Sequence, residues 1–233
     1  MTGASGGLGS IVLPMFLEAG YSVAAVALDW PAAPKLSASL LPMKADLAKP
    51  AEANAAVEKS VERFGRLDCL VHLVGYFGPE CPIEDTLDET WERTMDANLR
   101  AAFNMIRAAV RPMRNSGGGR MVVVGSTAAI QPVVTWSAFS AAMGGLRALV
   151  QVASAELRKD NITVNLLNPS TIYTEAVRAA LGDAESSRWA DPNRMGSLML
   201  WLCSEQGADV SGSSIAIPAR QTHPAYHWPG VAE

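Results

Sequence analysis

The segment Thr2-Gly3-Ala4-Ser5-Gly6-Gly7-Leu8-Gly9 fits the spacing T-G-x-x-x-G-x-G and runs straight into an apolar helical pattern from Leu8 to Ala19. Glycines in such a turn let the backbone approach a pyrophosphate, and the helix that follows offers unpaired N–H groups and the positive end of its dipole. The bland alternative is an ordinary glycine-rich turn. A nucleotide-binding turn of this kind normally follows a strand in the middle of a sheet, and no strand pattern precedes Thr2. Either upstream residues are missing from this chain or the sheet is rearranged. Losing a central strand leaves two neighbouring strands with unpaired N–H and C=O groups in a buried region. What lies between the strand patterns at Val23 and Leu67 is therefore decisive, since an empty or collapsed slot weakens both the nucleotide and the catalytic reading.

Beyond the turn, short β-branched runs alternate with amphipathic stretches. Val23 to Leu28, Leu67 to Gly75, Arg120 to Ser126 and Ile162 to Asn168 read as strands, and their near-continuous apolar character is that of buried parallel strands. Leu8 to Ala19, Pro50 to Phe64, Glu89 to Met113, Ser137 to Lys159 and Pro192 to Ser204 read as helices. The repeated order predicts an α/β fold, a Rossmann-type doubly wound parallel sheet flanked by helices, in a single domain over residues 1–233. The tail from Arg220 to Glu233, with Pro224 and Pro229, reads as irregular.

Composition narrows the function classes. Apolar residues make up 49% of the 233 residues, yet no uninterrupted stretch is long enough to span a bilayer, so no membrane partner is expected. A net charge of −4 with scattered Lys and Arg gives no basic stripe for nucleic acid. Cys69, Cys81 and Cys203 form no C-x-x-C pair, and no metal site is expected. With no leader-like segment ahead of the turn, a cytoplasmic location is the expectation.

The motif order resembles that of the short-chain dehydrogenase/reductase family over almost the whole chain. Gly3, Ser5, Gly7, Leu8 and Gly9 resemble its cofactor loop, and Asp46-Leu47 resembles the acidic-apolar pair placed against adenine. Leu73-Val74-Gly75 stands where the family has Asn-Ala-Gly. Asn98 resembles the helix Asn that holds a water in the family's proton relay, and Val124-Gly125-Ser126 resembles the strand end presenting the active-site Ser. Asn168-Pro169-Ser170-Thr171-Ile172-Tyr173-Thr174 resembles the Pro-Gly segment, so Pro169, Ile172 and Thr174 are implied on the nicotinamide side. Taken singly, Asp46 also reads as a helix cap, Asn98 as a solvated polar residue and Thr174 as a cap. The resemblance implies NAD or NADP as cofactor. Asp29, two residues beyond the family's ribose-reading position, would accept from a ribose hydroxyl and repel a 2′-phosphate, which favours NAD, although it also suits a turn before Pro31.

The family's catalytic pair is a Tyr and a Lys one helical turn apart, the Lys lowering the pKa of the Tyr that donates a proton to the carbonyl. Here the Ala141-Ala142-Met143-Gly144-Gly145-Leu146 stretch fixes the register, so Trp136 falls on the Tyr position and Ser140 on the Lys position. An indole N–H donates a hydrogen bond but does not exchange its proton near neutral pH, and a hydroxyl carries no charge. The stretch from Ser126 to Trp136 is also shorter than in the family, and a misplacement of about 1 Å can cost about a hundredfold in rate. Ordinary hydride transfer on carbonyls is therefore expected to be weak or absent. Tyr76 and Tyr173 map near the cleft as substitute donors or as wall residues, His72 reads as a core histidine, and His223 and His227 lie in the tail.

Three functions stay open: a redox enzyme of the family, a regulatory dinucleotide-binding protein partnering an active paralogue, and non-redox chemistry with Trp136 as a wall and Ser126 as an anchor. The resemblance implies a homo- or hetero-oligomer through the 89–113 and 137–159 helices, where Ala102, Phe103, Ile106, Val110, Ala141, Leu149 and Val152 are apolar and serve either such an interface or the packing of these helices on the sheet. The substrate is a small molecule of unassigned identity, read largely by Thr174 to Asp191.

Overall fold

The computed structural model describes residues 1–32, 34–182 and 189–218. Its strands are β1 (Val23–Ala27), β2 (Leu40–Lys44), β3 (Cys69–His72), β4 (Gly119–Val124), β5 (Ile162–Pro169) and β6 (Ser214–Ile217). The helices are α1 (Gly9–Glu18), α2 (Pro50–Phe64), α3 (Asp88–Met95), α4 (Ala101–Asn115), α5 (Ser137–Leu157), α6 (Glu175–Leu181) and α7 (Pro192–Leu202). Every ladder is parallel, in the orders β2-β1 and β3-β4-β5-β6. This is the predicted doubly wound architecture.

Met1 and Thr2 join the two sets of strands. Thr2 forms parallel bridges to Val26 on one side and His72 on the other. The Thr2 amide donates to the Val71 carbonyl at 2.9 Å, and the Leu73 amide donates to the Thr2 carbonyl at 3.1 Å. On the other side the Val26 amide donates to the Met1 carbonyl at 2.8 Å, and the Met1 amine donates to the Ala24 carbonyl at 2.8 Å. Below Met1 the strands stay apart, leaving a cleft of about 350 Å³ between Ser22–Ala24 and Asp68–Val71. The slot is thus filled at its upper end and open, not collapsed, beneath.

Alternation along the strands sorts the core into two layers. Leu70, Met121, Val123, Val164 and Leu166 face α2, α4 and α5, while Val71, Val122 and Leu167 face α1 and α7. On α5 the buried Leu146, Val150, Ala153 and Leu157 recur at three- and four-residue steps, the stripe of a helix lying on a sheet. On the opposite face α7 crosses α1 closely, since a Cβ at Gly196 would meet the Met15 sulfur at 2.5 Å. All of β5 is buried; Asn165 donates to the Val210 carbonyl and Asn168 to Ser214 Oγ, each at 2.7 Å, whereas the Thr163 hydroxyl and Asn168 Oδ1 have no hydrogen-bond partner among the described residues.

The sequence pattern located α2 to the residue. Pro50 opens it, and Gly65, left-handed at φ 81°, closes it by donating to Val61. It did not yield β2, β6 or α6. β2 reads Leu-Leu-Pro-Met-Lys, and its Pro42 argues against a strand except at a sheet edge, which is where β2 lies. The helix predicted over Glu89 to Met113 is α3 and α4 joined by a π-helical turn at Asp96–Arg100. Part of the apolar surface read there as an interface is core: Ala102 and Ile106 are buried, whereas Phe103, Ala141 and Val152 face outward. The tail beyond Arg220, with His223 and His227, lies outside the described residues.

His72 is the one histidine among the described residues and sits fully inside the sheet, its Nδ1 sharing a 2.8 Å hydrogen bond with Thr2 Oγ1. Burial pushes its pKa down from 6.5 to about 3, with the nearby Met1 amine adding to the shift. Between those values the unfolded chain binds a proton that the folded chain does not, so stability present above pH 6.5 is lost as pH falls. Urea unfolding at pH 6.5 and pH 5 should show the parent losing about 2 kcal/mol more than His72→Asn over that interval. Equal losses would contradict the assignment.

Candidate active site

The upper ends of the strands carry the candidate nucleotide residues. Gly3, at φ 69°, lies so close to β3 that a Cβ would come within 2.8 Å of the Leu73 carbonyl carbon. Gly9 lies so close to the turn that a Cβ would fall 2.2 Å from the Gly3 carbonyl oxygen. Both positions accept only glycine, and together they fold the turn back over the start of α1. Gly6 and Gly7 are left exposed beside Ser5, while Leu8 is buried as an anchor. A first helical turn has N–H groups without intrahelical acceptors, so exposed glycines at this end suit a diphosphate. Thr174 closes the far side. A Cβ on Gly7 would meet its Cβ at 2.7 Å, and its hydroxyl accepts from the Val177 amide to cap α6. The residues present therefore fit a dinucleotide on the phosphate side.

Asp46 and Leu47 follow β2. The Asp46 carboxylate accepts from the Ala48 amide at 3.1 Å in a turn before α2, whose N-cap is Lys49, so Asp46 is not the helix cap that the sequence also allowed. Leu47 is buried, and Asn104 on α4 donates to the carbonyls of Leu47 and Ala48 at 2.9 and 3.1 Å. Asn104 went unnoticed in the sequence, although a lone Asn on the apolar stripe of an amphipathic helix is a detectable signal. Asp29 stands fully exposed beyond β1 and pairs with Lys44 at 2.8 Å; that hydrogen bond holds its carboxyl below the usual carboxylate range. Lys44 was also missed, because the β2 strand that delivers it was not recognised.

The loop after β3 is held by the π turn. Asn98 is buried there; its Oδ1 accepts from the Tyr76 amide at 3.0 Å, and its Nδ2 donates to the carbonyls of Tyr76 and Thr94, each at 2.8 Å. Its side chain is thus engaged in clamping the loop backbone at Tyr76, next to Val74 and Gly75. The extra residue in a π turn re-aims a side chain without breaking the helix. Arg93 lies over the Tyr76 ring at 4.2 Å.

Ser126 follows β4, and its hydroxyl accepts from the Ala128 amide at 3.2 Å. Trp136 is the residue preceding α5, and Ser140 lies in its first turn. The Trp136 ring packs edge-on against Phe77 at 4.5 Å and Phe139 at 5.9 Å, with Phe77 and Phe139 5.2 Å apart. The pocket beside this cluster measures about 20 Å³, room for about one water. The Ser140 hydroxyl accepts a long 3.5 Å contact from the Val133 amide. Pro169 ends β5, Ile172 bridges to Ala190, and Tyr173 is 41% exposed with Trp189 beside it at 6.1 Å. Among the described residues, no group of three or more His, Cys, Asp or Glu side chains is placed to hold a metal, and no helix is long and apolar enough to cross a membrane.

The chain matches the short-chain dehydrogenase family model over residues 1–184, and it belongs to that family. Among its relatives, trans-4-hydroxycyclohexanecarboxylate dehydrogenase of Sinomonas cyclohexanicum is 30% identical over 72% of this chain and 65% of its own length. D-threitol dehydrogenase of Mycolicibacterium smegmatis is 28% identical over 95% of this chain and 91% of its own length. The structure of a 3-ketoacyl-(acyl-carrier-protein) reductase from Brucella melitensis, complexed with NADH, superposes with a TM-score of 0.85 at 25% identity, covering 93% of this chain and 94% of that one.

The loop before Trp136 carries strain. Thr135 has φ 69°, a left-handed conformation that a β-branched residue rarely adopts, and its carbonyl accepts from the Cys81 amide at 3.1 Å. Such positions cost about 1–3 kcal/mol, and Asn tolerates them better than Thr. Thr135→Asn should therefore stabilise the fold by about 1 kcal/mol and raise the melting temperature by about 2–4 °C. An unchanged or lower midpoint in calorimetry would show that the loop is unstrained.

Proposed function

We propose that the chain is a dinucleotide-binding member of its family in which ordinary hydride transfer between an alcohol or ketone and the nicotinamide is weak or lost. A bound nicotinamide supplies or accepts the hydride; everything else must come from the protein. The alkoxide that develops on a reduced carbonyl needs a proton, and the family's Tyr and Lys positions hold Trp136 and Ser140. The observation that carries this reading is the setting of Trp136: its ring is packed edge-on between Phe77 and Phe139, and the first helical turn beyond it has a neutral Ser140. Ser126 still offers a hydroxyl, though an aliphatic hydroxyl is a much weaker acid than a phenol and donates a hydrogen bond more readily than a proton. Removing a general acid costs typically about 10²- to 10⁴-fold.

NAD is the favoured cofactor, since Asp29 is an acidic group at the end of β1 and a relative's structure is complexed with NADH. The Lys44 partner neutralises much of the repulsion Asp29 would direct at a 2′-phosphate, so the preference is expected to be small.

A regulatory role beside an active paralogue is the second reading. It is favoured by Phe103 on α4 and Val152 on α5, which stay 43% and 56% exposed on the helices through which the family associates. Turnover with a panel of ketones and alcohols tests the first reading. The parent should show at most marginal rates, and Trp136→Tyr with Ser140→Lys should raise kcat/KM by about a hundredfold or more. Brisk turnover by the parent would overturn the proposal; failure of the folded double variant to gain activity would overturn the assignment of the defect to this pair.

A further inference from the structure

Cys69 and Cys203 lie 134 residues apart in sequence, and the fold brings them together at the lower end of the sheet, away from the glycine turn. Cys69 opens β3 and is partly exposed, Cys203 follows α7 and is buried, and both are free thiols in the layer of α1 and α7. The Cys69 thiol donates to the Cys203 carbonyl at 3.6 Å, and Tyr21 Oη donates to the same carbonyl at 3.4 Å. Because that carbonyl belongs to the residue that carries the second sulfur, side-chain rotation is enough to bring the two sulfurs into contact.

The surroundings differ from those of an inert core thiol. Cys69 on β3, Arg120 on β4 and Thr163 on β5 stand in one parallel register, so their side chains form a row on the same face of the sheet. Arg120 is only 7% exposed; one terminal nitrogen donates to the carbonyls of Gly119 and Asn161, each at 3.0 Å, and the other lies 3.7 Å from a Glu205 carboxylate oxygen. Its Nε is buried with no hydrogen-bond acceptor among the described residues. A fixed guanidinium beside a thiol favours the thiolate, which is the reactive form. The Cys203 thiol, donating toward Cys69, does most to hold the Cys69 pKa below its ordinary value against burial and Asp68, and Arg120 acts in the same direction. Cys203 is pushed well up by the same contact and by burial. The pair is thus asymmetric, with Cys69 the partly exposed nucleophile and Cys203 the buried partner that keeps its proton.

We propose that Cys69 and Cys203 form a redox-active dithiol, a site of reversible oxidation by hydroperoxides that closes a disulfide between β3 and the end of α7. With hydrogen peroxide, the Cys69 sulfur attacks one peroxide oxygen. The S–O bond forms, the O–O bond breaks, and the departing hydroxide becomes water with the proton that Cys69 gave up. Arg120 Nε offers the sulfenate oxygen a hydrogen bond. The Cys203 sulfur then attacks the Cys69 sulfur; the S–S bond forms, the S–O bond breaks, and the released hydroxide takes the Cys203 proton as a second water. Two electrons pass from the two sulfurs to the peroxide. The product ties the sheet to α7, the helix that crosses α1 closely at Gly196.

Cys81, on the loop after β3 and 3.5 Å from Thr86 Oγ1, serves as the reference thiol. For the test, folded chain carrying Cys81→Ser is reduced, freed of reductant, treated with hydrogen peroxide, alkylated in denaturant and digested with trypsin. Residues 67–93 should be joined to residues 195–220 within one chain, and dithiothreitol should open the link. In the parent chain the link should form about tenfold or more faster than Cys81 is oxidised. In Cys203→Ser, confirmed as folded, oxidation should stop at a Cys69 sulfenic acid that dimedone captures. Cys69 and Cys203 both still open to alkylation when Cys81 of the parent is already oxidised would overturn the proposal. So would a link found only between chains, or a folded Cys203→Ser chain whose Cys69 takes up no dimedone.

Discussion

The hydrogen bonds that Met1 and Thr2 make to β1 on one side and β3 on the other hold this molecule together as a sheet. Without them the β2-β1 pair and the β3-β6 sheet share no ladder. These bonds also locate the glycine turn, because Gly3 leaves the sheet directly against the backbone of Leu73 and the turn then folds onto α1. The candidate nucleotide end is therefore built on a two-residue foundation, with a cleft immediately below it. Buried backbone groups left unpaired are costly, so the bonds made by Met1 and Thr2 weigh heavily in holding the two sets of strands together.

Around the start of α5 the neighbouring loops are packed onto one aromatic cluster. The Trp136 ring packs edge-on against both Phe77 and Phe139. The Cys81 amide bonds to Thr135, and Thr86 Oγ1 lies 3.2 Å from Ser137 Oγ, so the loop after β3 is drawn over the same cluster. Thr135, left-handed at φ 69°, is the last residue before Trp136 in the connection from β4 to α5. On the function proposed for this chain, this aromatic packing stands in for a charged proton path, and a site of that character would bind and position better than it exchanges protons.

Much of this was readable from the residues. Gly3 and Gly9 were legible because the backbone leaves no room for a Cβ there, and the buried strands β3, β4 and β5 were legible because both of their faces are apolar. β2 was not, since its Pro42 and single-edge exposure blur the pattern, and with it went the Asp29–Lys44 pair. Asn98 was picked out by its motif, yet its grip on Tyr76 depends on a π turn that no local propensity signals. The division of the α4 surface into core and exterior, with Ile106 inside and Phe103 outside, depends on the rotation of the helix against the sheet.

The most direct measurement is a calorimetric titration of NADH into the folded chain, repeated with Gly9→Ala confirmed as folded by circular dichroism. A scaffold that keeps the family's nucleotide site while losing its proton donor predicts saturable binding by the parent and a loss of affinity of about tenfold or more in the variant, whose Cβ would press on Gly3 and reshape the phosphate turn. A folded parent that takes up neither NADH nor NADPH would contradict it.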